Sequence, residues 1–279
     1  MILPTLILAL FLAKEPVQSA QLQFDAGNYK AALITLRAAH PRSTNKAEIH
    51  FWIARSNFEL HENDEAVNHF ETAVKLDPNK AEYYRWLGRA YGAKAEADHS
   101  ILFARKVKQA FETAVRLEPG NIAARRDLMQ FFVEAPWVVG GDKGKARKQI
   151  EAITAIDPLQ GRLARAAYLA ADKQRKAAEA EYLSIVMLQP QDINAYMEAA
   201  DFFEDRKNVK GLEKTVEAAS HVNRDDPRLC FFRGVALVIR RANLAEAEKL
   251  LKTYISAVPE KSDYPSHQTA LEWLGKIGK

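Results

Sequence analysis

The feature that most constrains this sequence is the return of small, aromatic and proline residues about every 34 positions, a repeat length typical of stacked helical hairpins. Residues 47–80 hold one copy of the pattern, with Ala54, Ala66, Phe70, Ala73 and Pro78. With an insertion, residues 81–121 repeat it at Tyr84, Leu87, Gly88, Tyr91, Val107, Phe111, Ala114 and Pro119. Strand-like alternation is almost absent, so the chain is expected to be all-α.

Each residue of this register has a mechanical role in a helical hairpin. Small residues such as Ala54 and Gly88 allow two helix axes to approach closely. Phe70 and Phe111 fill the space between neighbouring hairpins, and Pro78 fixes the end of a second helix. A single hairpin cannot bury its apolar face alone, so several hairpins must stack on one another.

These residues resemble the tetratricopeptide repeat family. The resemblance implies an all-α, right-handed superhelical solenoid of about seven helix-turn-helix repeats with a C-terminal capping helix. Continued along the chain, the register gives repeats at residues 20–44, 47–80, 81–121, 122–158, 159–192, 193–226 and 227–261. The tail, residues 262–279, carries Trp273, Leu274 and Gly275 and is predicted to be the capping helix.

Two repeats are longer than the rest. The third contains GAKAEADHSILFARK, which predicts two extended helices joined by a turn near Asp98 to Ser100. The fourth contains APWVVGGDKGK, in which Pro136 and two glycines break a helix and Asp142 is placed to cap the next one. This combination resembles a subgroup of exported bacterial repeat proteins.

The N-terminus carries an apolar run from Ile2 to Ala13. It is short for a membrane span and suits the hydrophobic region of a signal peptide, so residues 1–19 are predicted to be removed near Ser19 to Gln21. The chain would then be periplasmic or secreted. No Lys or Arg precedes the run, which leaves two alternatives. The run is either a helix packed on a cytoplasmic repeat array or a retained anchor in the inner membrane.

Catalytic and cofactor motifs are not found in the sequence. The net charge is only +4, with acids and bases interleaved, which disfavours a nucleic-acid partner. The GGDKGKA segment lacks the spacing and the hydroxyl residue of a phosphate-binding loop, and no histidine pair has zinc-helix spacing. A Gly-x-Ser-x-Gly nucleophile motif is also missing. We therefore expect no cofactor, no metal and no enzymatic activity.

The resemblance implies that inward-facing positions of the first helices line a binding groove. The partner-binding residues mapped in this way are Phe51, Arg55, Phe58, Arg85, Arg89, Arg126 and Asp201. The same path continues through Met197, Phe231, Val235 and Val238. Arginines converging from three consecutive repeats would favour an acidic peptide or protein segment.

The expected function is thus a non-catalytic scaffold for protein–protein interaction. Three alternatives stay open at this point: the arginines form an ordinary solvated face, the chain is an accessory subunit of an enzyme, or it is a membrane-tethered assembly factor. A membrane partner is expected only if the N-terminal segment is kept as an anchor.

Overall fold

A computed structural model describes residues 16–259 and 264–278 of the 279-residue chain. The apolar run of the predicted signal peptide lies outside the described residues, so its removal stays a prediction. Within the described ranges the secondary structure is helical and no strand occurs, which confirms the all-α fold. No helix among these residues has the length and apolar character to cross a membrane.

The chain divides after Glu151 into two compact units, unit 1 and unit 2. Unit 1 begins, in its described part, with helix α1 at residues 16–25. Its further helices are α2 Tyr29–Ala39, α3 Lys46–Glu59, α4 Asn63–Leu76, α5 Ala81–Ala97, α6 Ile101–Leu117 and α7 Ile122–Glu134. Neighbouring helices pair as antiparallel hairpins, and α3 with α4 and α5 with α6 pack most extensively.

Helix α8, Lys143–Ile156, crosses from unit 1 into unit 2. The helices of unit 2 are α9 Pro158–Ala171, α10 Arg175–Met187, α11 Ile193–Asp205, α12 Val209–Val222, α13 Arg228–Arg240, α14 Leu244–Ala257 and α15 His267–Leu274. Short α15 packs against α13 and α14. Its Trp273 is only 5% exposed, so this helix covers apolar surface of the last hairpin, and its role as a cap stays a prediction.

Local sequence explains where several helices begin. The Ser100 hydroxyl accepts a hydrogen bond from the Phe103 amide at the start of α6, and Asp142 accepts from the amides of Gly144 and Lys145 at the start of α8. The predicted capping role of Asp142 is therefore confirmed. Helices α5 and α6 each contain 17 residues and are joined by the expected turn at residues 98–100.

Small residues lie where the helices of unit 1 cross. Ala54, Ala66, Ala73 and Ala114 are fully buried. A Cβ atom added to Gly88 would lie 2.4 Å from the Phe111 ring, so a larger residue would force this ring or one of the two helices to move. The structure thus gives the register residues the packing role that their size predicts.

Candidate functional site

The first helices of unit 1 carry a stack of arginine side chains on one tryptophan. The guanidinium carbon of Arg55 on α3 lies 3.6 Å from the ring centre of Trp86 on α5, and that of Arg89 lies 4.7 Å from it. Together they cover Trp86, which is 4% exposed. Cation–π attraction therefore fixes the orientation of both guanidinium groups.

A carboxylate on the next first helix binds two of these arginines. Asp127 Oδ2 on α7 accepts a hydrogen bond from Arg85 Nε at 2.8 Å and lies 3.5 Å from Arg89 Nε. Burial raises the pKa of Asp127, while the two guanidinium groups oppose that rise by favouring its charged form. The groups thus stabilise one another, because a carboxylate left here without its cations would be a desolvated charge.

The remaining contacts of the cluster involve Glu82 and Phe58. Glu82 accepts hydrogen bonds from the Trp86 indole at 2.6 Å and from Arg85 Nη1 at 3.3 Å. The Phe58 ring meets the edge of Trp86 at 5.7 Å between ring centres. We call Arg55, Phe58, Glu82, Arg85, Trp86, Arg89 and Asp127 the arginine cluster. Arg126 is half-buried on α7, adjacent in sequence to Asp127.

Two of the predicted groove residues have a different role. Phe51 is 6% exposed and stacks on Tyr83 with 4.7 Å between ring centres, so it belongs to the packing between α3 and α5. Arg85 is engaged by Asp127 and Glu82 and is not available as a ligand group. The expectation that Phe51 lines the groove is wrong, because that face of α3 is covered by α5. In unit 2, the same burial applies to Met197, Phe231, Val235 and Val238.

Asp201 lies in unit 2, whereas the other predicted partner residues lie in unit 1. The residue is exposed on α11, but the protein around its carboxyl group partly desolvates that group. This desolvation, followed by the charges of Glu204 and Glu198, raises the pKa of Asp201 to about 7. Arg228 opposes this shift, but it is bound to Asp226 and to the amide oxygen of Asn194. Asp201 is therefore part of an acidic patch in unit 2 and not of the arginine cluster.

A cleft of about 500 Å³ opens beside Arg89. Its walls are helices α5, α6 and α7 together with Pro136 and Val139. The two sequence insertions thus line one cavity, because the extended ends of α5 and α6 face the turn that follows α7. We call this cavity the α5–α7 cleft. Both insertions are visible in the sequence, but nothing in their residues indicates that they meet.

Three histidines form a hydrogen-bonded row in unit 1. Nε2 of His40 lies 3.1 Å from Nε2 of His50, and Nδ1 of His50 lies 2.8 Å from Nδ1 of His69. His50 uses its two nitrogens on opposite neighbours, so the three rings do not converge on one metal ion. Among the described residues, no group of three or more His, Cys, Asp or Glu side chains is arranged for a metal.

The chain is similar to known helical repeat proteins. The family model of the tetratricopeptide repeat (TPR) matches residues 55–94, which contain the last five residues of α3, all of α4 and most of α5. The predicted resemblance is therefore confirmed. No curated protein sequence matches the chain.

Solved structures support the same fold. A tetratricopeptide repeat protein of Parabacteroides merdae aligns with 96% of this chain and 99% of its own, with a TM-score of 0.58 at 14% identity. A thermophilic tetratricopeptide repeat protein of Thermus thermophilus covers 68% of this chain and 98% of its own, with a TM-score of 0.55 at 19% identity. At these identities the similarity establishes the helical solenoid fold.

Proposed function

We propose that the chain is a non-catalytic scaffold and that the first helices of unit 1 bind an acidic segment of a partner protein. Scaffolding of protein–protein interactions is the general role that the tetratricopeptide repeat fold supports. The acidic segment is inferred from the geometry of the arginine cluster.

The observation that carries this proposal is the state of Arg89. Its side chain is 36% exposed, and its Nε faces Asp127 while its plane lies against Trp86. Within the described part of the chain, its two terminal nitrogens make no hydrogen bond. An exposed guanidinium held in one orientation loses little entropy when it binds a carboxylate through two parallel hydrogen bonds.

Neighbouring side chains extend this surface beyond a single contact. By the repeat register Arg126 takes an inward position on α7, and the half-buried Phe58 supplies apolar area beside Trp86. Ion pairs on a partly exposed surface contribute about 1 kcal/mol or less each, so a useful affinity requires several such contacts together. An extended peptide crossing α3, α5 and α7 would make them.

The test is a selection of random linear peptides displayed against the immobilised full chain. Selected peptides should contain Asp or Glu, and they should bind the Arg126→Glu variant at least tenfold more weakly, which is about 1.4 kcal/mol. Raising the salt concentration should weaken wild-type binding, because exposed charges are screened.

Arg147→Glu is the matched control, since Arg147 is exposed on α8, which is not one of the first helices. Binding to this variant should equal wild type. Selected peptides without acidic residues, or equal affinity for Arg126→Glu and wild type, would refute the acidic-segment proposal.

We also propose that the chain is exported, with cleavage near Ser19 to Gln21. The support is the short apolar run followed by small residues. Against it stands the helical conformation of residues 16–25, where Val17 and Ala20 are buried in the core of unit 1. Mass spectrometry of the N-terminus from the native source decides this, because an intact N-terminus would exclude processing.

A further inference from the structure

The α5–α7 cleft has an apolar floor and a partly polar rim. Val107 and Phe111 on α6, Phe131 on α7 and Val139 form the floor, and α5 contributes a wall that includes Gly88 and Gly92. The cleft volume of about 500 Å³ is large enough for a bulky side chain and part of its backbone.

The turn at residues 136–142 gives the cleft a fixed wall. The Asp142 amide donates to the Phe132 carbonyl at 2.8 Å, and the Gly141 amide donates to the Pro136 carbonyl at 3.1 Å. A Cβ atom on Gly141 would lie 1.7 Å from the Ala135 carbonyl oxygen, so the turn requires glycine there. The wall is therefore formed before any ligand arrives.

This turn presents an aromatic side chain to solvent. Trp137 is 84% exposed, and the adjacent Val138 is 47% exposed, whereas Val139 is buried against the cleft. Exposed tryptophans beside a pocket are characteristic of binding surfaces, because the indole supplies a large contact area at low entropic cost.

Gly92 leaves space in the cleft that the fold does not require. A Cβ atom at Gly92 would meet no atom within 4 Å, in contrast to Gly88 one turn earlier. Glycine inside a helix costs about 1 kcal/mol relative to alanine, so this position lowers helix stability without easing any packing contact. The empty volume beside Gly92 is thus available to a ligand.

Two glutamate carboxylates line the cleft near Gly92. Glu96 on α5 and Glu134 on α7 line the cleft and are exposed, and Glu134 accepts a hydrogen bond from Gln130. No cation pairs with Glu96 or Glu134 among the described residues. Arg89 and Asp127 also line the cleft, but Glu96 and Glu134 each follow seven residues later on α5 and α7, about 10 Å further along the helices. The rim therefore complements a positive charge.

We propose that the α5–α7 cleft is an anchor pocket for a partner protein, receiving an apolar side chain that lies next to a lysine or arginine. The apolar side chain occupies the space beside Gly92 and packs on the apolar floor of the cleft. The neighbouring cation pairs with Glu96 or Glu134. This inference rests on the proposed scaffold function, but its test uses Gly92, Glu96 and Glu134 instead of Arg126.

The experiment uses the same displayed peptides and the full chain, and it compares Gly92→Leu with Gly120→Leu. The leucine at position 92 fills the cleft, whereas Gly120 lies in an exposed turn where an added Cβ also meets no atom. Circular dichroism and thermal melting establish that both variants fold. Peptides that use the cleft should lose at least tenfold in affinity for Gly92→Leu and none for Gly120→Leu.

A second arm tests the charge. Peptides sensitive to Gly92→Leu should carry Lys or Arg beside an apolar residue, and their affinity should fall further for the Glu96→Lys, Glu134→Lys double variant. The cleft proposal is overturned if every selected peptide tolerates Gly92→Leu, or if the sensitive ones lack a cation. Loss of binding only in Arg126→Glu would retain the acidic-segment proposal while removing this one.

Discussion

At the residue scale, two glycines of α5 four positions apart occupy opposite environments. Gly88 faces Phe111, where an added Cβ would lie 2.4 Å from the ring, and Gly92 faces open space. Both lie in the interior of one helix, so the helix propensity gained on replacement with alanine is about the same for both. The difference between them isolates packing.

We predict that the free energy of unfolding of the Gly92→Ala variant is about 1–3 kcal/mol higher than that of the Gly88→Ala variant. This difference is the usual cost of forcing extra atoms into a packed core. Denaturant unfolding of the two variants measures this difference. Equal stabilities would mean that the Phe111 ring moves aside, and that the close approach of α5 and α6 is not required.

Only part of the candidate site could be predicted from the sequence. Arginines at inward positions were identified from the repeat register, but their partners were not. Trp86 and Asp127 lie on neighbouring helices, and nothing in the spacing of Arg85 or Arg89 specifies which carboxylate they bind. A cation that looks free in the sequence can therefore be neutralised by a residue 42 positions away.

The lowered pKa of His50 makes the free energy of unfolding depend on pH. Burial, followed by the charges of His69, His40 and Lys46, lowers its pKa to about 4. Between about pH 6.5 and 4, this histidine binds a proton in the unfolded chain but stays neutral in the folded protein. The free energy of unfolding should therefore decrease as the pH falls from about 6.5 to 4. His69 adds to this loss, since burial also lowers its pKa.

Thermal melting between pH 4 and 7 measures the effect. His50→Gln should flatten the dependence, whereas His221→Gln should leave it unchanged, because His221 is exposed on α12. An identical pH profile for His50→Gln and wild type would contradict the assignment of the loss to the histidine row.

At the scale of one element, α15 is attached to unit 2 by three kinds of contact. Trp273 is buried and its indole donates to Glu204, the Tyr254 hydroxyl donates to the Pro265 carbonyl, and a ring nitrogen of His267 lies 2.8 Å from the Val258 carbonyl oxygen. The helix has only eight residues, so this packing, and not its own propensity, maintains it.

Trp273→Ala should therefore lower the stability of unit 2 by about 3–5 kcal/mol, as expected for loss of a buried tryptophan. Leu271→Ala is the control, because Leu271 lies on the exposed side of the same helix and its removal should change stability by less than about 0.5 kcal/mol. Denaturant unfolding measures both, and similar values for the two would show that α15 does not act as a cap.

The sequence predicts the helices and their pairing in hairpins more completely than it predicts the α5–α7 cleft. The proline and small-residue register located the hairpins because helix termini and crossings depend on local chemistry. The α5–α7 cleft depends on where the turn at residues 136–142 lies relative to α6. That position follows from tertiary hydrogen bonds such as Asp142 to Phe132, which no local pattern specifies.

At the scale of the whole molecule, the repeat fold supports a scaffold, and the chemistry capable of selecting an acidic segment lies in unit 1. The arginine cluster and the α5–α7 cleft share Arg89 and Asp127. Unit 2 instead presents the acidic patch around Asp201. A partner of this chain is therefore expected to contact unit 1 with acidic groups at the arginine cluster and with an apolar side chain next to a lysine or arginine in the α5–α7 cleft.

Hydrogen–deuterium exchange of the full chain, with and without a selected acidic peptide, tests this claim most directly. Binding should slow amide exchange in α3, α5 and α7, and should leave α14 unchanged. Slowed exchange confined to unit 2, or none in α5 and α7 under saturating peptide, would contradict the assignment of the binding surface to unit 1.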